Sequence, residues 1–358
     1  LLMIHPSTGN LLLASAEALV NTVNTEGVMG KGIALQFRQA YPAMFRAYAD
    51  ACKAGAVELG RMDVHDLGGI GEGPRWIINF PTKGHWKAKS RMADVELGLL
   101  DLVRTVQRLG IRSIAVPPLG CGHGGLEWSE VRPRIVHAFS DAPSVDVLLF
   151  GPAGAPDASS MPNRTDKPQM TVGRAALILL MDRYLSGLLD PMVSLLEVHK
   201  LMYFLQEAGQ DLRLNYAAGL YGPYAENLRH VLIKLEGHLL QGYGDGEDAP
   251  GKPIELLPGA VEQATKFLSA DLEAKSRMDR VAQLLSGYED PYGMELLSSV
   301  HWVMCRSEEA RESADAAIEA VHGWNERKRR SLAAPGLRRA WQKLKAERWD
   351  SESRSARH

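Results

Sequence analysis

Between Gly151 and Pro168 the chain reads GPAGAPDASSMPNRTDKP, four prolines among small and polar residues with no apolar period. This stretch constrains the fold most, because the residues on its two sides differ in texture. Upstream, the short apolar runs Ala18–Val23, Trp76–Phe80, Ser113–Val116 and Val145–Phe150 alternate with helical patterns over 33–41, 44–53, 92–109 and 129–139. Such alternation predicts a mostly parallel sheet covered by helices on both faces, with ligands at the carboxyl ends of the strands. Downstream, helical patterns follow one another at 172–189, 193–207, 225–240, 260–272, 277–286, 296–306 and 314–330, with Pro191, Pro223, Pro258 and Pro291 near their starts. The expected organisation is an α/β domain over 1–152, a tether over 153–168 and a mainly α-helical domain over 169–358. A long surface loop inside one domain is the other reading of the proline-rich stretch.

Two domains suit 358 residues, and 45% hydrophobic residues can fill two cores. The net charge of -2 excludes a chain-wide basic field. Any nucleic-acid contact must come from a local patch. Three cysteines, Cys52, Cys121 and Cys305, lie far apart and form no CxxC pair, which argues against a disulfide framework and against zinc. No apolar run is long enough to span a bilayer, and no signal-peptide pattern opens the sequence. A cytoplasmic location, with no membrane contact, is the expectation.

Two glycine-rich loops follow strands of the first domain. One runs from Asn24 through Gly27, Met29, Gly30, Lys31 and Gly32 into a helix. The other contains Pro118, Gly120, Cys121, Gly122, His123, Gly124 and Gly125. Glycines let backbone N–H groups approach a phosphate, and helix N-termini favour an anion. A lone loop of this kind also serves any tight turn. Two of them after two strands predict a diphosphate held between them, and neither matches the dinucleotide or P-loop fingerprints. Asn24 at a strand end either orients a ligand hydroxyl or only makes a turn. Asn21 reads as a buried, satisfied polar group. His123 faces phosphate or substrate, or is an ordinary loop histidine.

The segments ALVNTVNTEGVMGKGIALQF, NFPTKGHWK and VPPLGCGHGGLEW together resemble the macrodomain of DarG antitoxins and its relative, the human terminal ADP-ribose glycohydrolase. The resemblance covers about residues 3 to 152. It implies an ADP-ribose-binding fold that removes ADP-ribose from DNA bases modified by a DarT toxin, with no metal or other cofactor. It further implies that Lys83, preceded by Thr82, attacks the anomeric carbon of the distal ribose, with Asn24 on the ribose hydroxyls. A lysine nucleophile must be neutral, which burial and neighbouring cations favour. Lys87, Lys89 and Arg91 follow closely. Without the resemblance, Lys83 reads as part of a solvated basic loop.

This sequence departs from the relatives at two places. The human relative has a catalytic acid in the loop matching Gly122–Leu126, where this chain has none; Glu26 and Glu127 are the nearest acids. Many macrodomains carry an aspartate for adenine where this chain has Asn10, and Phe150 either stacks on the adenine or belongs to the core. Two alternatives therefore accompany the DNA hydrolase: a hydrolase of ADP-ribosylated protein or ADP-ribose esters, and a binding module without turnover.

In the second domain, LLEVHKLMYF at 195–204 and GLYGPY at 219–224 resemble the helical DarG C-terminal domain, and are similar to the Panacea domain of other antitoxins. The resemblance implies that 169–358 binds the cognate DNA ADP-ribosyltransferase toxin. Leu201, Phe204 and Leu205 at helical spacing read as core. The basic run from Glu326 to Arg348 reads as a solvated helix face or a contact for phosphate or an acidic partner. Asp245, Glu247 and Asp248 form an acidic turn that could imitate phosphates.

Overall fold

The computed structural model describes residues 3–68, 73–154, 156–186, 192–244 and 246–350. Residue 155, residues 187–190, Pro191 and Asp245, on which parts of the sequence reading fall, lie outside them. The chain forms two units. The first is Leu1–Asp166 together with Gly244–Glu247, and the second is Lys167–Tyr243 with Asp248–His358.

In the first unit the six strands β1 (Ile4–Ser7), β2 (Ala18–Asn24), β3 (Asp63–Asp66), β4 (Trp76–Lys83), β5 (Ser113–Val116) and β6 (Asp146–Phe150) form one sheet. Its order is β1-β6-β5-β2-β4-β3, with every pair parallel except β3 with β4. Four helices cover it: α1 (Gly32–Ala40), α2 (Pro42–Lys53), α3 (Met92–Leu109) and α4 (Trp128–Ala138). Because both faces are covered, the central strands are apolar on both sides. Ala18, Val20, Ile78 and Phe80 pack with Leu99, Leu102 and Val106 of α3 and Ile135 of α4. Leu19, Val23, Ile77 and Ala115 pack with Phe37 of α1 and Met44 and Tyr48 of α2. On the second face a polar chain crosses three strands. Asn21 Nδ2 donates to Asn79 Oδ1 at 2.9 Å, and Asn79 Nδ2 donates to Asp63 Oδ2 at 2.8 Å.

β1 and β3 are not announced in the sequence. Each is four residues long and neither carries an apolar run. The proline-rich stretch also departs from a free tether. Asn10 Nδ2 donates to Ser160 O at 2.8 Å, Arg164 N donates to Gln39 O at 2.8 Å, and the Arg164 guanidinium lies 5.5 Å from the Tyr41 ring centroid. Few apolar groups are needed for this, because polar and cationic groups do the joining.

The second unit is mainly helical. Its helices are α5 (Val172–Ser186), α6 (Leu195–Glu207), α7 (Leu228–Leu235), α8 (Ala260–Phe267), α9 (Leu272–Leu285), α10 (Pro291–Met304), α11 (Glu308–Glu312), α12 (Ala314–Trp324), α13 (Glu326–Ser331) and α14 (Ala334–Ala346). Between them lie short strands, β7 (Val193–Ser194), β8 (Tyr216–Gly219), β9 (Gly222–Ala225), β10 (Leu240–Gln241) and β11 (Pro253–Leu256). Three long helices expected from periodicity are broken. The helix expected over 225–240 is a strand end, α7 and β10. The other two breaks are made by N-caps: Asp271 accepts from Ala274 N before α9, and Asn325 accepts from Lys328 N before α13.

The basic run is corrected as well. Lys328 is fully buried and donates to Glu295 Oε1 at 2.7 Å, while Arg327 reaches both Glu295 oxygens at 2.6 and 3.0 Å. Arg338 pairs with Asp315. Lys328 is thus not on a solvated face, whereas Arg329 and Arg330 beside Glu326 remain mostly exposed. Nearby, Lys200 of α6 donates to Pro223 O at 2.7 Å, joining the two motifs of this domain. Burial, then the Lys328 ammonium, pushes its amine down to about 7.

Glu295 makes the fold pH-sensitive. Burial raises its carboxyl, but hydrogen bonds from Arg327 and Lys328 outweigh this and hold it below the ordinary value of 4.5. A depressed carboxylate contributes stability that is complete above the unfolded value and lost as pH falls through the folded one. Glu295→Ala is expected to cost about 3–5 kcal/mol at pH 7, because it leaves Lys328 buried without its counter-charge. Urea unfolding at pH 7 and pH 4 checks both statements, the difference between variant and wild type shrinking at the lower pH.

Candidate active site

The site begins with an irregularity in β4. Val23 of β2 pairs with Pro81, but the next residue, Asn24, pairs with Lys83. Thr82 is therefore the extra residue of a bulge, a device that re-aims a side chain. Pro81 has no N–H to offer the ladder, which makes a regular continuation unfavourable there. Thr82 is buried and donates to Val23 O at 3.4 Å. The bulge brings Lys83 beside Asn24 at the carboxyl ends of two adjacent parallel strands. Lys83 is half-buried. Burial, and then the Lys89 ammonium, lowers its pKa, the direction a nucleophilic amine needs.

Asn24 organises the first loop. Its Oδ1 accepts from Glu26 N at 2.9 Å and Val28 N at 3.3 Å, and its Nδ2 donates to Val28 O at 2.6 Å. Tyr48 of α2 donates its hydroxyl to Asn24 O at 2.6 Å. The turn-making reading of Asn24 is the one these bonds show, and the pairing of the strands sets this residue opposite Lys83. Gly27 takes φ +79°, and a Cβ there would lie 3.3 Å from Ala49 Cα. Met29 is buried, with its sulfur 3.8 Å from Asn21 Nδ2. Asn21 Nδ2 is satisfied, whereas Asn21 Oδ1 has no partner among the described residues. Gly30 and Lys31 lead into α1, which starts at Gly32.

The second loop is a series of turns. Cys121 N donates to Pro118 O, Gly125 N to Gly122 O and Leu126 N to Gly120 O, at 3.0 to 3.1 Å. Gly120 and Gly125 take φ +70° and +75°. At Gly124 an added Cβ would lie 2.3 Å from Gly120 O and from Ser90 Oγ, whereas at Gly122 it would meet nothing within 4 Å. Gly122 and His123 are exposed. The Cys121 thiol is pushed up to about 11 by burial and by Glu127, and so stays protonated. The loops approach each other, since a Cβ on Gly32 would lie 3.8 Å from the His123 ring.

Not every predicted residue joins this cluster. Asn10 is occupied structurally, its Oδ1 capping Leu12 N at 3.0 Å and its Nδ2 held by Ser160. Phe150 is buried in the core with Leu11, Leu12 and Ala115. Sequence reasoning missed the support given by Tyr48 and the neighbourhood of Glu26, whose carboxylate lies 3.7 Å from His85 Nε2. It also missed Glu247, which lies 2.5 Å from His123 Nε2. The acidic turn that contains Glu247 was visible, but nothing local tied it to this loop. No group of three or more potential metal ligands occurs among the described residues. No helix among them is long and apolar enough to cross a membrane.

The Macro domain family model matches residues 20–135, the span that holds most of this mostly parallel sheet, both glycine loops and Lys83. A DNA ADP-ribosyl glycohydrolase of Thermus aquaticus is 49% identical, covering 91% of this chain and 89% of its own length. One from Mycobacterium tuberculosis is 46% identical, covering 92% and 95%. A DNA ADP-ribosyl transferase-DNA ADP-ribosyl glycohydrolase fusion protein of Thermosipho africanus is 38% identical over 35% of this chain and 36% of its own. The chain belongs to the DNA ADP-ribosyl glycohydrolase family of DarG-type proteins.

The two open-loop glycines should behave differently. Gly124→Ala is expected to lower stability by roughly 1–3 kcal/mol, the cost of overpacking. Gly122→Ala should leave the melting transition within about 0.5 kcal/mol of wild type. Calorimetric melting of the two variants side by side measures this.

Proposed function

We propose that this chain removes ADP-ribose from ADP-ribosylated DNA bases, with Lys83 as the nucleophile, as the antitoxin of a DarT-like DNA ADP-ribosyltransferase. The observation that carries the role of Lys83 is the Thr82 bulge, which sets a partly desolvated amine of lowered pKa beside Asn24. Family membership supports the substrate class. The neutral Lys83 Nζ attacks the anomeric carbon of the distal ribose. The carbon–nitrogen bond to the base breaks with its electron pair on the base, which takes up a proton. Water then displaces the lysine. Around this centre, the loop over Gly27–Gly32, with Met29 and Lys31, and the loop from Pro118 to Gly125 hold the diphosphate through backbone N–H groups. Cys121 and His123 contribute the second loop's side chains to its wall. Asn10, its amide engaged by Leu12 and Ser160, and Phe150, buried in the core, carry no ligand contact in this reading.

The same proposal assigns toxin binding to residues 169–358, supported by the resemblance of 195–204 and 219–224 to the helical DarG C-terminal domain and by glycohydrolase relatives that match 91% and 92% of this chain. Lys83→Ala in the full-length chain should abolish release of ADP-ribose from modified DNA, yet hold ADP-ribose within about tenfold of wild type, or roughly 1.4 kcal/mol. It should still co-purify with toxin and partly restore growth. Lys83→Arg should fail like the alanine variant, since a guanidinium stays protonated. Activity retained by either variant sinks the covalent role. Gly122→Glu, which places charge and volume at an open point of the second loop, should melt normally and show no ADP-ribose binding by calorimetry.

A further inference from the structure

Far along the chain from the glycine loops, Gly246 and Glu247 belong to the first unit. Glu247 Oε1 lies 2.5 Å from His123 Nε2, across 124 residues of sequence. Gly246 lies against the first loop at φ +66°, where an added Cβ would come within 2.9 Å of Gly30 O and Leu35 Cδ2. Lys31 Cα is 3.7 Å from the same point. One residue therefore rests on the first loop and the next meets the second at His123, whose ring a Cβ on Gly32 would approach to 3.8 Å. The contact is local in space and cannot be guessed from spacing.

We propose that Gly246 and Glu247 form an anionic stopper on the ADP-ribose cleft, with Glu247 setting ligand affinity by competing with the diphosphate. The inference rests on the reading that these two loops hold that diphosphate. A carboxylate and a diphosphate are both anions seeking the same donors, so His123 serves one or the other. Gly246 has no side chain because the backbone must lie flat on Gly30, and this close seat brings the carboxylate to His123. Ligand binding then requires the stopper to leave, and its removal should strengthen binding.

Two substitutions unseat it by unrelated means. Glu247→Ala removes the charge on a partly exposed side chain, and Gly246→Val inserts a Cβ within 2.9 Å of Gly30 O and Leu35 Cδ2. Titration calorimetry with ADP-ribose on the full-length chain should show both variants binding roughly three- to fivefold more tightly. That range matches the upper end for a solvent-exposed ion pair. Thermal melting confirms that each is folded. Unchanged or weaker binding in folded Glu247→Ala overturns the stopper. Gly122→Glu separates this from failure of the underlying reading. If that variant loses ADP-ribose while Glu247→Ala binds as wild type, the loops stand and the stopper falls. If Gly122→Glu binds as wild type, the ligand lies elsewhere and the stopper falls with the loop assignment.

Discussion

The bulge at Thr82 is the constraint on which the candidate site depends. Parallel strands β2 and β4 pair regularly from Ala18 with Trp76 up to Val23 with Pro81, and then one residue is inserted. A strand alternates its side chains between faces, so one extra residue reverses which side chain meets the neighbouring strand's end. Lys83, and not Thr82, consequently stands by Asn24. Asn24 in turn ties down the loop that runs to α1, and Tyr48 ties Asn24 to α2. Strand pairing, loop shape and helix packing thus converge on the two residues.

The two units solve the burial of polar groups in different ways. The first threads neutral amides through its core, from Asn21 to Asn79, and ends on Asp63 at the edge strand, where a charge is less costly. The second buries the Lys328 ammonium outright and satisfies it with Glu295 and with Ser299 Oγ at 2.8 Å. Buried ions of this kind add little net stability compared with apolar packing, yet each depends strictly on its partner. The amide chain carries its one charge only at its edge, on Asp63.

Much of the first unit was legible because its signals are contiguous. The four central strands are short apolar runs, and Met92–Leu109 carries its helical stripe in full. The glycine loops and Lys83 are also local motifs, whereas the bulge after Pro81, just past the apolar run, was not anticipated. The edge strands β1 and β3 were not legible, because an edge of four residues has no buried run to betray it. In the second unit periodicity carried across real breaks. Asp271 and Asn325 accept from Ala274 N and Lys328 N and start new helices, a role that apolar period alone does not reveal. Lys328 looked solvated because its partner Glu295 lies 33 residues away. Glu247 shows the same limit at greater range, since its seat on His123 exists only once the chain has folded.

The clasp between Asn10 and Ser160 changes where the first unit can be said to stop. A boundary drawn at the end of the last strand looks natural, since β6 finishes at Phe150. Yet residues up to Asp166 still belong to the unit, and Arg164 answers a carbonyl on α1 at Gln39. A protease cutting soon after the sheet would release a fragment whose Asn10 amide and Gln39 carbonyl must turn to water instead. The proline-rich run is thus less a leash than a hem, sewn back onto α1 and the loop before β2.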